Sequence, residues 1–531
     1  MQADTVFLNG TVYTIDERNP RAEAMAVLHG RILAVGDTDD IRAMAGPNTR
    51  VIDLGGRTLM PGINDNHCHP PYYGEALTSI DASAQVVSTL NEIVDKYGKT
   101  ASEAAPERWI MGRGYDDTRL DVQRHPTRYD LDSVCGDHPA YLTRTCGHIG
   151  VANSVALKLA GITRDTPNPQ GGEIDKDEHG EPTGVLRELA QNLVRDLIPE
   201  PTAADIKRNL IAAGKKFNSL GITSVSDASV RHEREVRAYH DLRDSGELRM
   251  RTYLFMMIDD TLDALSELGI KTGFGDEWVR VGPAKIFQDG SGGGRTALMS
   301  IPYPNEPDNY GIAVYTQDEI DDKFARAAKA GFQCCAHAIG DKAITMIIDG
   351  MDRALRAHPQ TDHRWRIEHC GMMTDELLDR MVELQLVAVP QFSFVHYLGD
   401  SYIRNFSREW LELSYPARDW LDRGILTIGS SDAPVTPAEP WVNIRAAVTR
   451  LTQDGNVMGS EQGVTIDEAL TMFTLNGAKG SFEEDIKGSL TPGKLADAII
   501  IDKDPHDLAP EDLHTIEIDL TMVGGDIVFE Q

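Results

Sequence analysis

The sequence lacks several features that would each indicate a particular class of protein. Basic residues are few: 52 lysines and arginines stand against 83 aspartates and glutamates, a net charge of -31 at pH 7. Nucleic acids and anionic membrane surfaces are bound by basic patches, so neither is expected as a partner. No run of about 18 apolar residues occurs, so no membrane-spanning helix is predicted. The chain begins without a basic segment followed by an apolar one, which argues against secretion.

The six cysteines have no Cys-x-x-Cys spacing. We therefore expect reduced thiols and a cytoplasmic protein rather than a disulfide framework. Cys68, Cys335 and Cys370 stand beside or near the candidate ligands described below, and we interpret all three as packing residues.

The composition is that of a globular enzyme, with 41% hydrophobic and 25% charged residues among 531. This length predicts two or three structural units. The glycine-rich stretch 289–295 lacks the Gly-Lys-Ser/Thr ending of a phosphate-binding loop. We interpret it as a mobile loop in which Arg295 is a candidate substrate contact.

His67 and His69 are the first candidate metal ligands. They end a strand-like segment, and side chains at positions i and i+2 of a strand point to the same face, so both imidazoles can hold one cation. Imidazole is the commonest neutral metal ligand in proteins. Two surface histidines would give the same pattern, so the prediction depends on partners later in the chain.

Eight mostly apolar segments, bounded by Gly, Pro or Asp, are predicted as strands: 63–69, 222–227, 251–258, 279–288, 332–337, 366–369, 386–391 and 426–432. Helical segments such as 318–330 and 375–384 separate several of them. Strands alternating with helices predict an α/β fold of parallel β/α units. Eight units favour a closed (β/α)8 TIM-like barrel, although the pattern alone also allows an open sheet.

Three of these strands end in further residues that can bind a metal. His337 ends the fifth, His369 the sixth and Asp432 the eighth, and barrel enzymes build their active sites at such strand ends. A lone histidine on a strand is more often a core residue. Two on successive strands, with His67 and His69 upstream, favour a metal site. The Asp432 carboxylate can both bind a metal and transfer a proton.

Both chain ends read as short strands and turns, and each is too small to be stable alone. We predict that residues 1–60 and 480–531 form one composite β-sandwich around a barrel at 61–479. In the first of these segments, Asn9-Gly10 between two β-rich runs predicts a hairpin.

The long stretch between His69 and Gly221 exceeds an ordinary barrel loop and predicts an inserted subdomain at about 75–205. An insert after the first strand lies at the barrel mouth, where it can cover the pocket. His148 and Asn153 are candidate substrate contacts in this insert. The alternative is an ordinary capped helix start.

Pro61-Gly62 followed by Asp65-x-His67-x-His69 resembles the opening motif of the amidohydrolase superfamily. The later motifs resemble its amidohydrolase-3 branch, which includes N-substituted formamide deformylases and YtcJ-like hydrolases, and they cover nearly the whole chain in order: 113–117, 147–153, 171–188, 284–290, 335–341, 366–370, 428–434 and 488–497. The resemblance implies the closed barrel, the composite β-sandwich and a homodimer.

Lys285 lies in the apolar fourth strand, where an unpaired ammonium is costly. Pairing with a carboxylate such as Asp289 is one explanation. The resemblance implies another: a lysine carboxylated by CO2, whose carbamate bridges two divalent metal ions. Zinc is favoured, with iron, manganese or cobalt as alternatives. The implied ligands are His67, His69 and Asp432 for the first ion and His337 and His369 for the second.

A centre of this kind predicts hydrolysis of an amide-type, non-peptide carbon–nitrogen bond in a small molecule. Metal-bound hydroxide would attack the carbonyl carbon, and Asp432 would pass the proton to the leaving nitrogen. A mononuclear-metal deaminase or cyclic amidine hydrolase on the same barrel stays open, as does a non-enzymatic scaffold. Aromatic residues within 391–397 suggest an apolar or aryl substituent on the substrate, with packing beneath the insert as the alternative.

Overall fold

The computed structural model describes residues 2–83, 86–106, 108–117, 119–144, 149–169, 172–304 and 306–531. His148 lies outside the described residues. The chain divides into two compact units. One comprises the chain up to Pro71 together with Ala213–Gln531, and the other comprises Tyr72–Ala212.

A seven-stranded parallel sheet forms the centre of the first unit, and its strands lie side by side in chain order. They are β1 Ile63–Cys68, β2 Ile222–Val230, β3 Arg251–Met257, β4 Val279–Phe287, β5 Cys334–Ala338, β6 Arg366–His369 and β7 Val387–Val389. Nearly all of their residues are buried, as expected of strands covered on both faces. Seven of the eight predicted barrel strands are therefore present.

The eighth predicted strand, 426–432, is not a continuous strand. It makes one parallel bridge to β7, between Ala388 and Thr427. Gly429 then donates its N–H to the carbonyl of Met472 instead of to a neighbouring strand, which interrupts the ladder. At its far end the segment meets β1, because the amide of Asp432 donates to the carbonyl of His67 at 2.7 Å. The segment thus connects β7 to β1 and nearly closes a TIM-like barrel.

Helices follow most of these strands. Gln317–Lys329, between β4 and β5, begins with a reciprocal capping box of Thr316 and Glu319 and buries Ile320 and Phe324, one turn apart. The remaining α-helices after β2 are Glu233–Asp244, Ile258–Glu267, Asp341–Ala357, Asp375–Glu383, Phe392–Asn405, Arg408–Glu412, Ala417–Asp422, Pro440–Thr449, Ile466–Met472 and Leu475–Gly480.

Two further sheets of the first unit are built from the chain ends. In spatial order, one contains Arg31–Gly36, Ala24–Leu28, Ala3–Leu8 and Ala45–Asp53, and the other contains Asp526–Glu530, Ile518–Val523, Ala498–Ile501, Thr58–Pro61, Thr11–Tyr13 and Arg21–Ala22. The hairpin predicted at Asn9-Gly10 is wrong, because the strands before and after it belong to different sheets. Gly10 has Leu54 and the Arg57 carbonyl within about 2.6 Å of the position a Cβ would occupy, so this crossing requires glycine.

The second unit contains a six-stranded mixed sheet, in the order Gly172–Lys176, Pro182–Glu188, Ile149–Ala152, Ala140–Arg144, Ile110–Tyr115 and Ile80–Asp81. The chain segment that holds it also includes helices Leu90–Glu103, Arg128–Cys135, Ser154–Leu159 and Asn192–Arg195, while Pro70–Thr78 and Ala203–Ser219 cross its boundaries. No helix among the described residues has both the length and the apolar composition needed to traverse a bilayer.

Candidate metal centre

Three of the predicted ligands form one compact group at the carboxyl end of the barrel. One ligand atom each from His67, His69 and Asp432 lies within 4.8 Å of the other two. The Asp432 Oδ1 atom is 3.4 Å from His67 Nε2 and 3.2 Å from His69 Nε2. Two imidazoles and a carboxylate at these separations are a donor set that suits a divalent transition metal.

Backbone hydrogen bonds hold this group together. β1 and the residues after it exchange two bonds with the eighth segment: Asp432 donates to His67, and His69 donates to Ala433 at 2.8 Å. Asp432 has φ +60°, in the left-handed region that is sparsely used by non-glycine residues. Backbone strain of this kind is concentrated at functional sites.

His337 and His369 extend the group on one side. The ring centroid of His369 is 4.9 Å from that of His67 and 4.3 Å from that of His337. His369 ends β6 with φ +73°, which departs from the alternation of a regular strand. The four histidines and Asp432, distant in sequence, therefore lie side by side. Phe394 covers the far face of His369, with ring centroids 5.7 Å apart and nearly parallel planes.

Each ring of the His67–His69 pair uses its Nδ1 atom within the protein. His67 Nδ1 lies 2.5 Å from Glu368 Oε2, and His69 Nδ1 lies 3.0 Å from Ser229 Oγ. A carboxylate can only accept, so Glu368 fixes the proton of His67 on Nδ1. Nε2 of His67, the atom near Asp432, then carries the lone pair that a metal needs.

The other two rings are oriented in the same way. His369 Nδ1 contacts Gln391 Oε1 at 2.5 Å. His337 instead uses Nε2, which lies 3.0 Å from the Gly290 carbonyl and 3.3 Å from Asp289 Oδ1. These contacts identify Nε2 of His369 and Nδ1 of His337 as the nitrogen atoms available to a metal.

Lys285 is completely buried on β4, and its Nζ has no hydrogen-bond partner among the described residues. The nearby groups include aromatic rings, with Nζ 4.8 Å from the Phe287 centroid and 5.7 Å from that of Phe255. Pairing with Asp289 does not explain this lysine, because Asp289 accepts from the amides of Ile339 and Gly340. A buried ammonium without a hydrogen-bond partner is unfavourable.

The electrostatics of the group suit metal binding. Burial, together with the neighbouring His337 and His67, lowers the pKa of His369 well below its ordinary value, which keeps the imidazole neutral. Burial raises the pKa of Asp432, but the adjacent His67, His69 and His369 side chains outweigh this effect, and the pKa lies well below its usual range. Neutral imidazoles beside an ionised carboxylate are the protonation states that bind metals.

The three predicted substrate contacts have different surroundings. Asn153 is fully buried as the N-cap of helix Ser154–Leu159. Its side-chain oxygen accepts from the amides of Ala140 and Ala156, and its side-chain nitrogen donates to the carbonyl of His138, which are the contacts of a structural cap. Arg295 is about half exposed and pairs with Glu306. His148 is not described.

Sequence reasoning missed the residues that orient the histidines: Glu368, Gln391 and Ser229. The sequence could have indicated a role for Glu368. It stands two residues after Arg366 on one strand, and this spacing places opposite charges on the same face of a buried strand. Gln391 and Ser229 had none, since a polar residue near a strand end is common. Cys68, Cys335 and Cys370 are buried free thiols.

A parallel α/β barrel with histidines and an aspartate at its carboxyl end defines the class of metal-dependent barrel hydrolases. Comparison of the sequence with known families identifies a particular family within that class. The amidohydrolase family model matches residues 50–529, so the chain belongs to this family.

The relatives agree with this assignment. The chain is 32% identical to the N-substituted formamide deformylase of Arthrobacter pascens, over 99% of this chain and 98% of that protein. It is 29% identical to YtcJ of Bacillus subtilis (strain 168), over 99% of both. A metal-dependent hydrolase of Pyrococcus furiosus, solved by crystallography and itself uncharacterized, aligns with a TM-score of 0.79 and 32% identity over 94% of this chain and 99% of that one. The protein is an amidohydrolase, a hydrolase that acts on carbon–nitrogen bonds.

Proposed function

We propose that the protein hydrolyses an amide-type, non-peptide carbon–nitrogen bond in a small molecule with the help of two divalent metal ions, most consistent with zinc. His67, His69 and Asp432 would hold the first ion, and His337 and His369 the second. The observation that carries the proposal is the convergence of these five side chains.

Lys285 completes the proposed ligand set as a carbamate formed with CO2. Its buried and unpartnered Nζ supports this assignment, because carboxylation would replace a costly ammonium with a group that metal ions neutralise. When bound, divalent ions lower the pKa of water and polarise a carbonyl group. The remaining steps belong to the protein's own side chains.

Asp432 is proposed as the proton carrier. Its Oδ1 is turned toward the two imidazoles, and the carboxylate would take a proton from the attacking water. The carboxylate is ionised and can accept that proton. Transfer of the proton to the leaving nitrogen then releases an amine.

The relatives and the aromatic residues support a proposal for the substrate class. The 32% identical protein of Arthrobacter pascens is named for N-substituted formamides, so these compounds are the first to test. Phe394, stacked on His369, supports an apolar or aryl substituent close to the reacting bond. His148, Asn153 and Arg295 stay proposed substrate contacts, with a structural cap as the alternative for Asn153.

The decisive experiment is elemental analysis coupled to a substrate panel of N-formyl, N-acetyl and lactam compounds. We expect about two metal ions per chain and release of an amine from at least one class. Full turnover by a rigorously metal-free preparation would contradict the proposal. Bound metal without activity on any compound would favour a non-enzymatic scaffold.

A mononuclear-metal deaminase or cyclic amidine hydrolase is the second candidate. It is favoured by the compactness of the group His67, His69 and Asp432, which can hold one ion without His337 or Lys285. About one metal per chain would support this alternative, together with release of ammonia for a deaminase or ring opening without a released amine for a cyclic amidine hydrolase.

The domain division is also proposed. A composite β-sandwich at 1–60 and 480–531 is supported by one hydrophobic core that contains Phe7 and Met25 together with Ile500 and Met522. A barrel at 61–479 with an insert at about 75–205 is supported by the separate unit Tyr72–Ala212. The buried free thiols support a cytoplasmic location. A homodimer is proposed from the family resemblance.

A further inference from the structure

Glu368 is a fully enclosed carboxylate next to the candidate metal centre. Its side chain has no exposed surface, and it interacts with three side chains. His67 Nδ1 and Arg366 Nε each lie 2.5 Å from one of its oxygens, Arg366 Nη2 adds a contact at 3.1 Å, and Cys335 Sγ donates at 3.1 Å. Each oxygen therefore has at least two partners, so the carboxylate has little freedom to move.

Strand geometry explains why Glu368 reaches the centre. Arg366 and Glu368 are two residues apart on β6, so their side chains share one face of the barrel. Arg366 Nη2 also donates to the carbonyl of Asn66 at 2.9 Å. The pair thus holds β1 at two adjacent points, the backbone of Asn66 and the ring of His67.

Two of the other imidazoles contact a neutral group through Nδ1. Ser229 offers His69 a hydroxyl, and Gln391 offers His369 a neutral amide. Asp289 is a carboxylate, but it lies 3.3 Å from His337 and shares its charge with backbone amides. Among the described contacts, His67 therefore has the shortest one to a charged partner.

We propose that Glu368 is a positioning residue that fixes the tautomer and orientation of His67 and so sets the metal affinity of the His67–His69–Asp432 position. The inference rests on the proposed function, because it assumes that this position binds metal. The carboxylate acts through the ring: it holds the proton on Nδ1, strengthens Nε2 as a donor and prevents rotation of the imidazole. Arg366 keeps the buried negative charge compensated.

The test compares Glu368→Gln with Asp497→Asn. Asp497 is the matched control, because it is also buried and pairs with an arginine through two bonds, Arg251 Nε at 2.6 Å and Nη2 at 2.9 Å, while no contact to a candidate ligand is recorded for it. We expect Glu368→Gln to lower zinc affinity, measured by chelator competition, about 10–100-fold, and Asp497→Asn to leave it unchanged. The visible absorption of the cobalt-substituted protein should change in Glu368→Gln alone.

Glu368→Asp keeps the charge opposite Arg366 and shortens the reach to His67, so it guards against a folding defect in Glu368→Gln. We expect it to lower zinc affinity as well. Wild-type affinity in either folded Glu368 variant, or an equal loss in Asp497→Asn, would overturn the positioning role and leave the proposed function standing. A wild-type protein that binds no zinc would overturn the proposed function and this inference with it.

Discussion

The backbone N–H of Asp432 donates to the carbonyl oxygen of His67 at 2.7 Å, while the Oδ1 atom of the same aspartate lies 3.4 Å from Nε2 of that histidine. One contact joins the two ends of the barrel, and the other joins two candidate metal ligands. Barrel closure and the candidate metal centre therefore depend on the same pair of residues. A change that loosens either residue should affect both properties.

Replacement of a proposed ligand should abolish activity and metal binding together. We expect His67→Ala and His369→Ala each to lower kcat/KM by more than about a thousandfold, because metal ions supply several kcal/mol of transition-state stabilisation. Metal content should fall in parallel, and chelated wild-type protein should regain activity when a divalent ion is restored. His506→Ala is the control, since His506 pairs with Asp467 and Asp504. Ligand variants with full metal content would contradict the assignment.

Carboxylation of Lys285 can be measured directly. Wild-type protein loaded with metal in the presence of 13C-labelled bicarbonate should show a carbamate resonance by NMR, and Lys285→Met should not. If the proposed carbamate bridges two ions, the variant should also hold about one metal ion per chain instead of two. Its metal-free form should melt no lower than the metal-free wild type, since a buried ammonium without a hydrogen bond has been removed. Two ions per chain in Lys285→Met would refute the bridging role.

The order of the strands and the alternation of side chains along each strand explain how much of this centre could be predicted from sequence. His67 and His69 share a face by simple alternation, and the strand-end positions of His337 and His369 follow from the barrel pattern. The turn of His369 at φ +73° could not be predicted, because nothing in Arg366-Ile-Glu-His369 marks a left-handed residue. The local residue pattern predicts apolar strands. It does not predict that the hydrogen bonding of the eighth segment to β7 stops at Gly429, or that Asn9-Gly10 connects strands of two different sheets, because tertiary contacts decide both.

The glycine-rich loop after β4 makes close contacts with helix Phe392–Asn405. Asn405 donates to the carbonyls of Gly292 and Gly293, and a Cβ on Gly292 would lie 2.6 Å from the ring of the buried Tyr402. Gly292→Ala should therefore displace the loop that carries Asp289 and Gly290, the partners of His337. We expect a loss of kcat/KM of about tenfold or more, since small displacements at an active site are costly.

Gly293→Ala is the matched control for this prediction, because the nearest atom to its Cβ, Ser401 Oγ, is 3.8 Å away. It should keep wild-type kinetics and melting temperature. Equal effects of the two substitutions would mean that the loop responds to the loss of glycine itself and not to the contact with Tyr402.

Substitution of Arg450 tests how much its side chain stabilises the segments around Ser414 and Met458. Its fully buried guanidinium donates to three backbone carbonyls, those of Met458 at 2.9 Å, Tyr415 at 3.1 Å and Ser414 at 2.9 Å. Arg450→Met keeps much of the volume but leaves these acceptors without their donors, and each buried unsatisfied group costs about 1–3 kcal/mol. Relief of the buried charge offsets part of this cost, so we expect a net loss of about 2 kcal/mol in the free energy of unfolding, measured by denaturant unfolding.

Arg408→Met, at a side chain that is 93% exposed, should change stability by less than about 0.5 kcal/mol. An Arg450→Met protein as stable as wild type would show that the carbonyls find other donors, and that the guanidinium does not hold this segment in place.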